Sequence, residues 1–237
     1  MSAIENWLKI VKVIQETPDT KTIRVALDKP VDFIPGQFVM LGLNLDVGGE
    51  KKLVKRAYSI ASSPTKKDCI EFTFNIYPQG QLSPHLYNLK VGGDVYLDGP
   101  YGKFIFKEEE TKDAVFLGAG AGLTPLMSMI RYIVDKKLQT KPTLLYSVKT
   151  PENIIYYKEL LQLEKIKKLN LVLTMTRPDG TGWTGLRGRI DAEKIKGLGP
   201  LDNSIFYICG PPEMVGGTAS ILESLGVAKD RVNREQW

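Results

Sequence analysis

The chain is poor in the residues that bind metals and form disulfides. Its 237 residues include two cysteines and one histidine. Cys69 and Cys209 lie far apart in sequence, so they make neither a CxxC knuckle nor the set of about four thiolates that an iron–sulfur cluster needs. A single imidazole excludes a multi-histidine metal centre and argues against a Ser-His-Asp mechanism; His85 reads as a surface helix residue. No metal site is expected. No apolar run reaches the roughly 18 residues of a membrane-spanning helix. The opening MSAIENWLKIVKV lacks the basic region and apolar block of a secretory signal. Basic runs with interleaved aromatics are also missing, which argues against nucleic acid as a partner. These absences lead to the expectation of a reduced, cytoplasmic protein with no membrane partner.

What is present is an ordinary globular composition, 43% hydrophobic and 25% charged, with a net charge of +5 that suits acidic partners. Up to about Phe106 the pattern is strand-like. WLKIVKVIQE, KTIRVAL, GQFVMLGLNL, CIEFTFNIY and DVYLDG alternate apolar with polar residues or form short apolar runs between turn signals. With one brief helical stretch, SPHLYNLK, this predicts a small antiparallel β-barrel. After the charged run KEEETKD the texture changes. AVFLG, TLLYSV, LNLVLTM and IFYICG alternate with helical segments, which predicts a parallel sheet with crossover helices. The expected architecture is a two-domain chain, a barrel over residues 1–108 and an α/β domain over residues 109–237.

Three stretches carry chemistry. RAYSIASS begins with Arg56, Ala57, Tyr58 and Ser59. On a strand, Arg56 and Tyr58 share one face and Ala57 and Ser59 the other, so a cation and a ring stand together. VFLGAGAGLTPLMSMI reads as strand, glycine turn and helix start. Gly118, Gly120 and Gly122 allow close backbone approach, and Thr124 and Pro125 suit a cap and a first turn at an anion-binding helix end. YICGPPEMV ends a parallel strand at the same sheet edge, with Cys209, Gly210 and Pro211. The strand TLLYSV ends in Ser147 and Lys149 rather than an acid, and Arg177 follows LVLTMT. A hydroxyl and two cations suit a 2′-phosphate, so NADPH is favoured over NADH.

RAYS, GQLS, GPYG, GAGAGLTP and CGPPEM, followed by an acidic-aromatic C-terminus, resemble in that order the ferredoxin–NADP reductase-like flavoprotein reductases over nearly the whole chain. The resemblance implies an FAD-binding barrel and an NAD(P)-binding domain. Arg56 would pair with the flavin phosphate, Tyr58 would pack on the ring, Ser59 would bond near its N5, and Ala57 packs beside them. Gly80, Gln81, Leu82 and Ser83 match the GxxS turn at the phosphate. Asn75 stands where relatives often carry a basic residue, which bears on FAD against FMN; FAD is the expectation. Thr124 would contact the nicotinamide nucleotide, the glycine turn its phosphates, and Cys209 the hydride junction. Glu235 and Trp237 match an acid-x-aromatic segment that folds back on the flavin, with Trp237 as a gate. Ser59, Cys209 and Glu235 are the expected catalytic residues. The implied activity is transfer from NAD(P)H through FAD to a one-electron acceptor protein, with ferredoxin the leading candidate because the surface is basic. The alternatives are a flavin reductase that releases its product and a non-catalytic flavin-bearing subunit.

Overall fold

Alternating residues in the first half fold as β1 (Ile4–Thr17), β2 (Thr20–Ala26), β3 (Phe38–Val47), β4 (Glu50–Ser59), β5 (Cys69–Asn75) and β6 (Asp94–Tyr101). The helix α1 (Ser83–Tyr87) falls between β5 and β6. The computed structural model describes residues 3–109 and 111–236. The six strands form one antiparallel sheet in the order β4-β3-β6-β1-β2-β5. It curls into a half-barrel, and a bridge from Ile60 to Phe72 joins its two flanks. Every second residue of β3 points inward, so Val39, Leu41 and Leu43 enter a core with Ile10, Ile23 and Phe72. Each such side chain contributes roughly 1.5–3 kcal/mol by leaving water. The helical stretch is shorter than SPHLYNLK predicts. It stops at Tyr87, where the backbone N–H groups of Asn88 and Leu89 bond three residues back, to the carbonyls of His85 and Leu86.

The second half builds β7 (Asp113–Ala119), a 3₁₀ turn (Gly120–Gly122), α2 (Leu123–Asp135), β8 (Lys141–Val148), α3 (Tyr157–Lys165), β9 (Asn170–Met175), β10 (Leu186–Arg187), α4 (Ala192–Lys196), β11 (Ser204–Gly210), α5 (Pro212–Ser224) and β12 (Val232–Gln236). The sheet is parallel, in the order β10-β9-β8-β7-β11-β12. β7 and β11 are covered on both faces, which is why they read as continuous apolar runs. β12 is an element that the sequence does not announce, since its polar residues give no strand signal.

The chain divides into two compact units, residues 1–106 with 127–132, and residues 107–126 with 133–237. In the first unit, Glu71 of β5 is a buried carboxylate held by two arginines. Arg24 Nη2 donates to its Oε1 at 2.6 Å and Arg131 Nη1 to its Oε2 at 2.9 Å. Arg131 also donates to the Ala61 carbonyl, and Ser128 to that of Ser62. No helix among the described residues is long and apolar enough to cross a membrane.

Candidate functional site

In the first unit, the RAYS strand and the GQLS turn meet. Arg56 Nη2 donates to Gln81 Oε1 at 2.9 Å, and Nη1 to the Lys55 carbonyl at 2.8 Å, while the side chain stays exposed. Tyr58 packs edge-on against Phe74, with ring centroids 5.7 Å apart. Burial pushes its hydroxyl up to about 12, partly offset by the Arg56 charge, so it remains a neutral donor. Gly80 is required by space, since a Cβ there would lie 2.9 Å from Ser83 Oγ and 3.0 Å from the Tyr77 carbonyl. Ser83 Oγ accepts from the Tyr77 N–H and donates to the Tyr77 carbonyl, which fixes the turn, and Leu82 is buried beneath it. Asn75 Oδ1 is buried at the end of β5 with no hydrogen-bond partner. Ala57 is exposed, whereas its neighbours Ile60 and Ala61 are fully buried. His85 is exposed on α1.

In the second unit, the expected residues collect at the carboxyl edge of the parallel sheet. Gly118 and Glu235 are the direct register partners of Cys209, one on either side. Cys209 is fully buried and forms no disulfide. A Cβ at Gly122 would collide with the Cys209 carbonyl, so this glycine seats the turn against β11. Gly120 has φ +54° and open space around it, and its carbonyl accepts from Tyr146 Oη at 3.0 Å. Thr124 does not cap α2, because the 3₁₀ turn runs straight into a helix that starts at Leu123. Its Oγ1 is buried without a partner in a residue only 3% exposed. Pro125 is buried behind it. Gly210 is buried and Pro211 exposed at the start of α5.

Ser147 is buried near the end of β8, and the exposed Lys149 and Arg177 are joined by a 2.8 Å bond from the Arg177 N–H to the Lys149 carbonyl. Burial raises the Glu235 carboxyl to about 7. Trp237 lies outside the described residues. Beyond Arg177, the sequence analysis assigned nothing in the loop after β9. There Trp183 Nε1 donates to the Leu186 carbonyl and Arg187 pairs with Asp179 at 3.0 Å, beside the end of the sheet. The signal available was the GTGWTG punctuation.

Comparison with known proteins gives the two domain types and the family. Residues 7–106 match the model of the oxidoreductase FAD-binding domain, and residues 116–220 that of the oxidoreductase NAD-binding domain. The glycine betaine monooxygenase reductase subunit of Chromohalobacter salexigens is 34% identical over 97% of this chain and 63% of its own length. NADH-cytochrome b5 reductase 1 of Aspergillus clavatus is 30% identical over 88% of this chain and 70% of its own. The ferredoxin reductase in carbazole 1,9a-dioxygenase superposes with a TM-score of 0.87 at 28% identity, covering all of this chain and 70% of that one. The ferredoxin NADP+ reductase from Neisseria gonorrhoeae with bound FAD and NADP gives 0.83 at 25% identity, over 99% of both chains. The chain belongs to the ferredoxin–NADP reductase-like flavoprotein reductases. It spans only 63% of the length of the monooxygenase reductase subunits that it matches. The residues present fit the two groups that the family holds. Among the described residues, Asn75 Oδ1 and Thr124 Oγ1 are buried side-chain atoms without a hydrogen-bond partner, one beside each motif set.

Proposed function

We propose that this chain is an NAD(P)H-dependent reductase that passes electrons through bound FAD to a one-electron acceptor protein. The observation that carries the reading is Thr124 Oγ1, a buried hydroxyl left without a partner in the first turn of α2, where a nucleotide phosphate or amide would complete it. When bound, FAD supplies two-electron acceptance as hydride and one-electron release. The protein's own residues bind and orient. Arg56 counters phosphate charge, Tyr58 and Ser59 line the ring, and the Gly80–Ser83 turn receives the phosphate. Gly118, Gly120, Gly122, Thr124 and Pro125 hold the nucleotide, and Cys209, with Gly210 and Pro211, stands at its reacting end. Glu235, with a carboxyl near 7, holds a proton that it can give up at neutral pH. Trp237 is assigned as the ring that covers the flavin.

NADPH is the proposed donor. The support is the pair of exposed cations, Lys149 and Arg177, that one backbone hydrogen bond brings together at the end of β8. The acceptor is proposed to be a ferredoxin or the oxygenase component of a monooxygenase. The second follows the names of the relatives, which are reductase subunits and components of monooxygenases. The test is the absorbance spectrum of the purified protein, followed by anaerobic titration with NADPH and NADH in turn. The expected result is about one flavin per chain, bleached at lower concentration by NADPH. A colourless protein that binds no added FAD ends the proposal; equal or better titration by NADH ends its nucleotide part.

A further inference from the structure

Two loops close helices onto strands at the amino edge of the parallel sheet, the end opposite Thr124 and Lys149. Residues 135–141 lead α2 into β8, and residues 164–169 lead α3 into β9. They carry Lys136, Lys137, Lys141, Lys165, Lys167 and Lys168 against Asp135 and Glu164. All six lysines are exposed. β7, β8 and β9 are parallel neighbours, so right-handed crossovers put α2 and α3 on the same face and the two loops side by side. Lys112 joins them, since the Lys141 N–H donates to its carbonyl at 2.9 Å. The nearby acids on the other flank are Asp113 on β7, Glu108 and Glu109 before it, Asp202 before β11 and Asp230 before β12.

Several lysines elsewhere, Lys9, Lys55, Lys67, Lys194 and Lys229, each meet an acid. Among the described residues no ion pair reaches Lys137, Lys141, Lys165, Lys167 or Lys168. Lys137 and Lys167 turn the chain with φ of 53° and 56°, a region that glycine enters at lower cost. Both turns therefore present a cation where backbone geometry alone favours glycine. Ile166 is 52% exposed between Lys165 and Lys167, and Leu161, one turn back on α3, is 40% exposed.

We infer that this edge docks on an anionic bilayer surface, with the lysines on the headgroups and Ile166 with Leu161 at the headgroup–acyl boundary. Apolar side chains flanked by exposed lysines are the combination that such a surface binds. An acidic electron carrier drawn to the same charge would be held at the wrong end of the strands, roughly 25 Å along β8 from the nucleotide edge at about 3.3 Å per residue. The inference is independent of which acceptor the reductase serves.

The test is co-sedimentation of the flavin-loaded full chain with vesicles. Phosphatidylcholine vesicles with about 30% phosphatidylglycerol should retain it and pure phosphatidylcholine should not. Raising salt from about 0.05 to about 0.3 M should weaken retention about tenfold or more. The pair Lys165→Glu and Lys168→Glu should cut partitioning at least about 25-fold, from about fivefold per lysine, and Ile166→Asp about tenfold. Lys51→Glu with Lys52→Glu, on β4, should bind like the parent. A parent chain that stays free of anionic vesicles at low salt, or edge variants that bind as well as the parent, overturns the inference. So does retention on a polyglutamate matrix, lost in the edge variants, without vesicle binding; that outcome makes the edge a protein-docking surface.

Discussion

Arg56 is fixed by Gln81 and the Lys55 carbonyl yet keeps its guanidinium exposed. Its proposed phosphate contact is charge-assisted and worth about 1.5–3 kcal/mol. Arg56→Ala should therefore weaken FAD about tenfold or more, read by fluorescence titration of the apoprotein. Unchanged affinity would remove Arg56 from the site. Glu235 gives a prediction with a definite sign. Its folded carboxyl titrates at about 7 against an ordinary 4.5, so the folded chain holds more protons than the unfolded chain between those values. Its contribution to stability is full below the ordinary value, falls as pH rises to about 7, and is flat beyond. Relative to Glu235→Gln, the parent should lose urea resistance steadily over that window. Parallel pH profiles for the two proteins would show that the carboxyl is not held neutral.

Among the elements, the start of α2 separates binding from stability. Thr124→Val removes a buried hydroxyl that bonds nothing, so melting temperature should hold or rise while nucleotide affinity falls about fivefold or more. A fall in stability with unchanged affinity would mean that the hydroxyl serves the fold. On β5, Glu71→Ala leaves the Arg131 charge, whose side chain is 16% exposed, without its carboxylate. Thermal unfolding should show a loss of about 3 kcal/mol, the scale for breaking a buried pair. Arg24→Ala should cost much less, since that side chain is 38% exposed. Both halves were legible as elements because burial imposes period two on β3 and continuous apolar runs on β7 and β11. β12 was not, because VNREQ is polar and gains its place from pairing with β11 rather than from an apolar face. The RAYS and GQLS motifs were legible separately; that Arg56 bonds Gln81 was not, since they lie 25 positions apart with β5 between them. Thr124 looked like a cap because sequence cannot show a 3₁₀ turn feeding the helix. The lysines of the amino edge looked like general basicity, and only the sheet order gathers them.

For the whole molecule, the composition of the first unit matters. It includes residues 127–132 along with 1–106. A fragment ending at residue 108 would lack Ser128, the partner of the Ser62 carbonyl, and Arg131, the partner of Glu71 and the Ala61 carbonyl. Such a fragment should melt well below the full chain and hold flavin poorly. A fragment as stable as the full chain would show those bonds to be dispensable.

The central strand β7 has a kinetic consequence. It is flanked by β8, which follows within one helix, and by β11, whose Ser204 pairs with Asp113 about ninety positions earlier. In the first unit, Ile4 of β1 likewise pairs with Gly99 of β6 across a similar span. Each sheet must close a long loop before its core is sealed, and the entropy of that search comes ahead of the contacts that reward it. Refolding from denaturant should therefore run on the slow side, in milliseconds to seconds, with unpaired strand edges open meanwhile. During rapid expression those edges from neighbouring chains would compete for one another, and lowering the growth temperature should raise the yield of native protein.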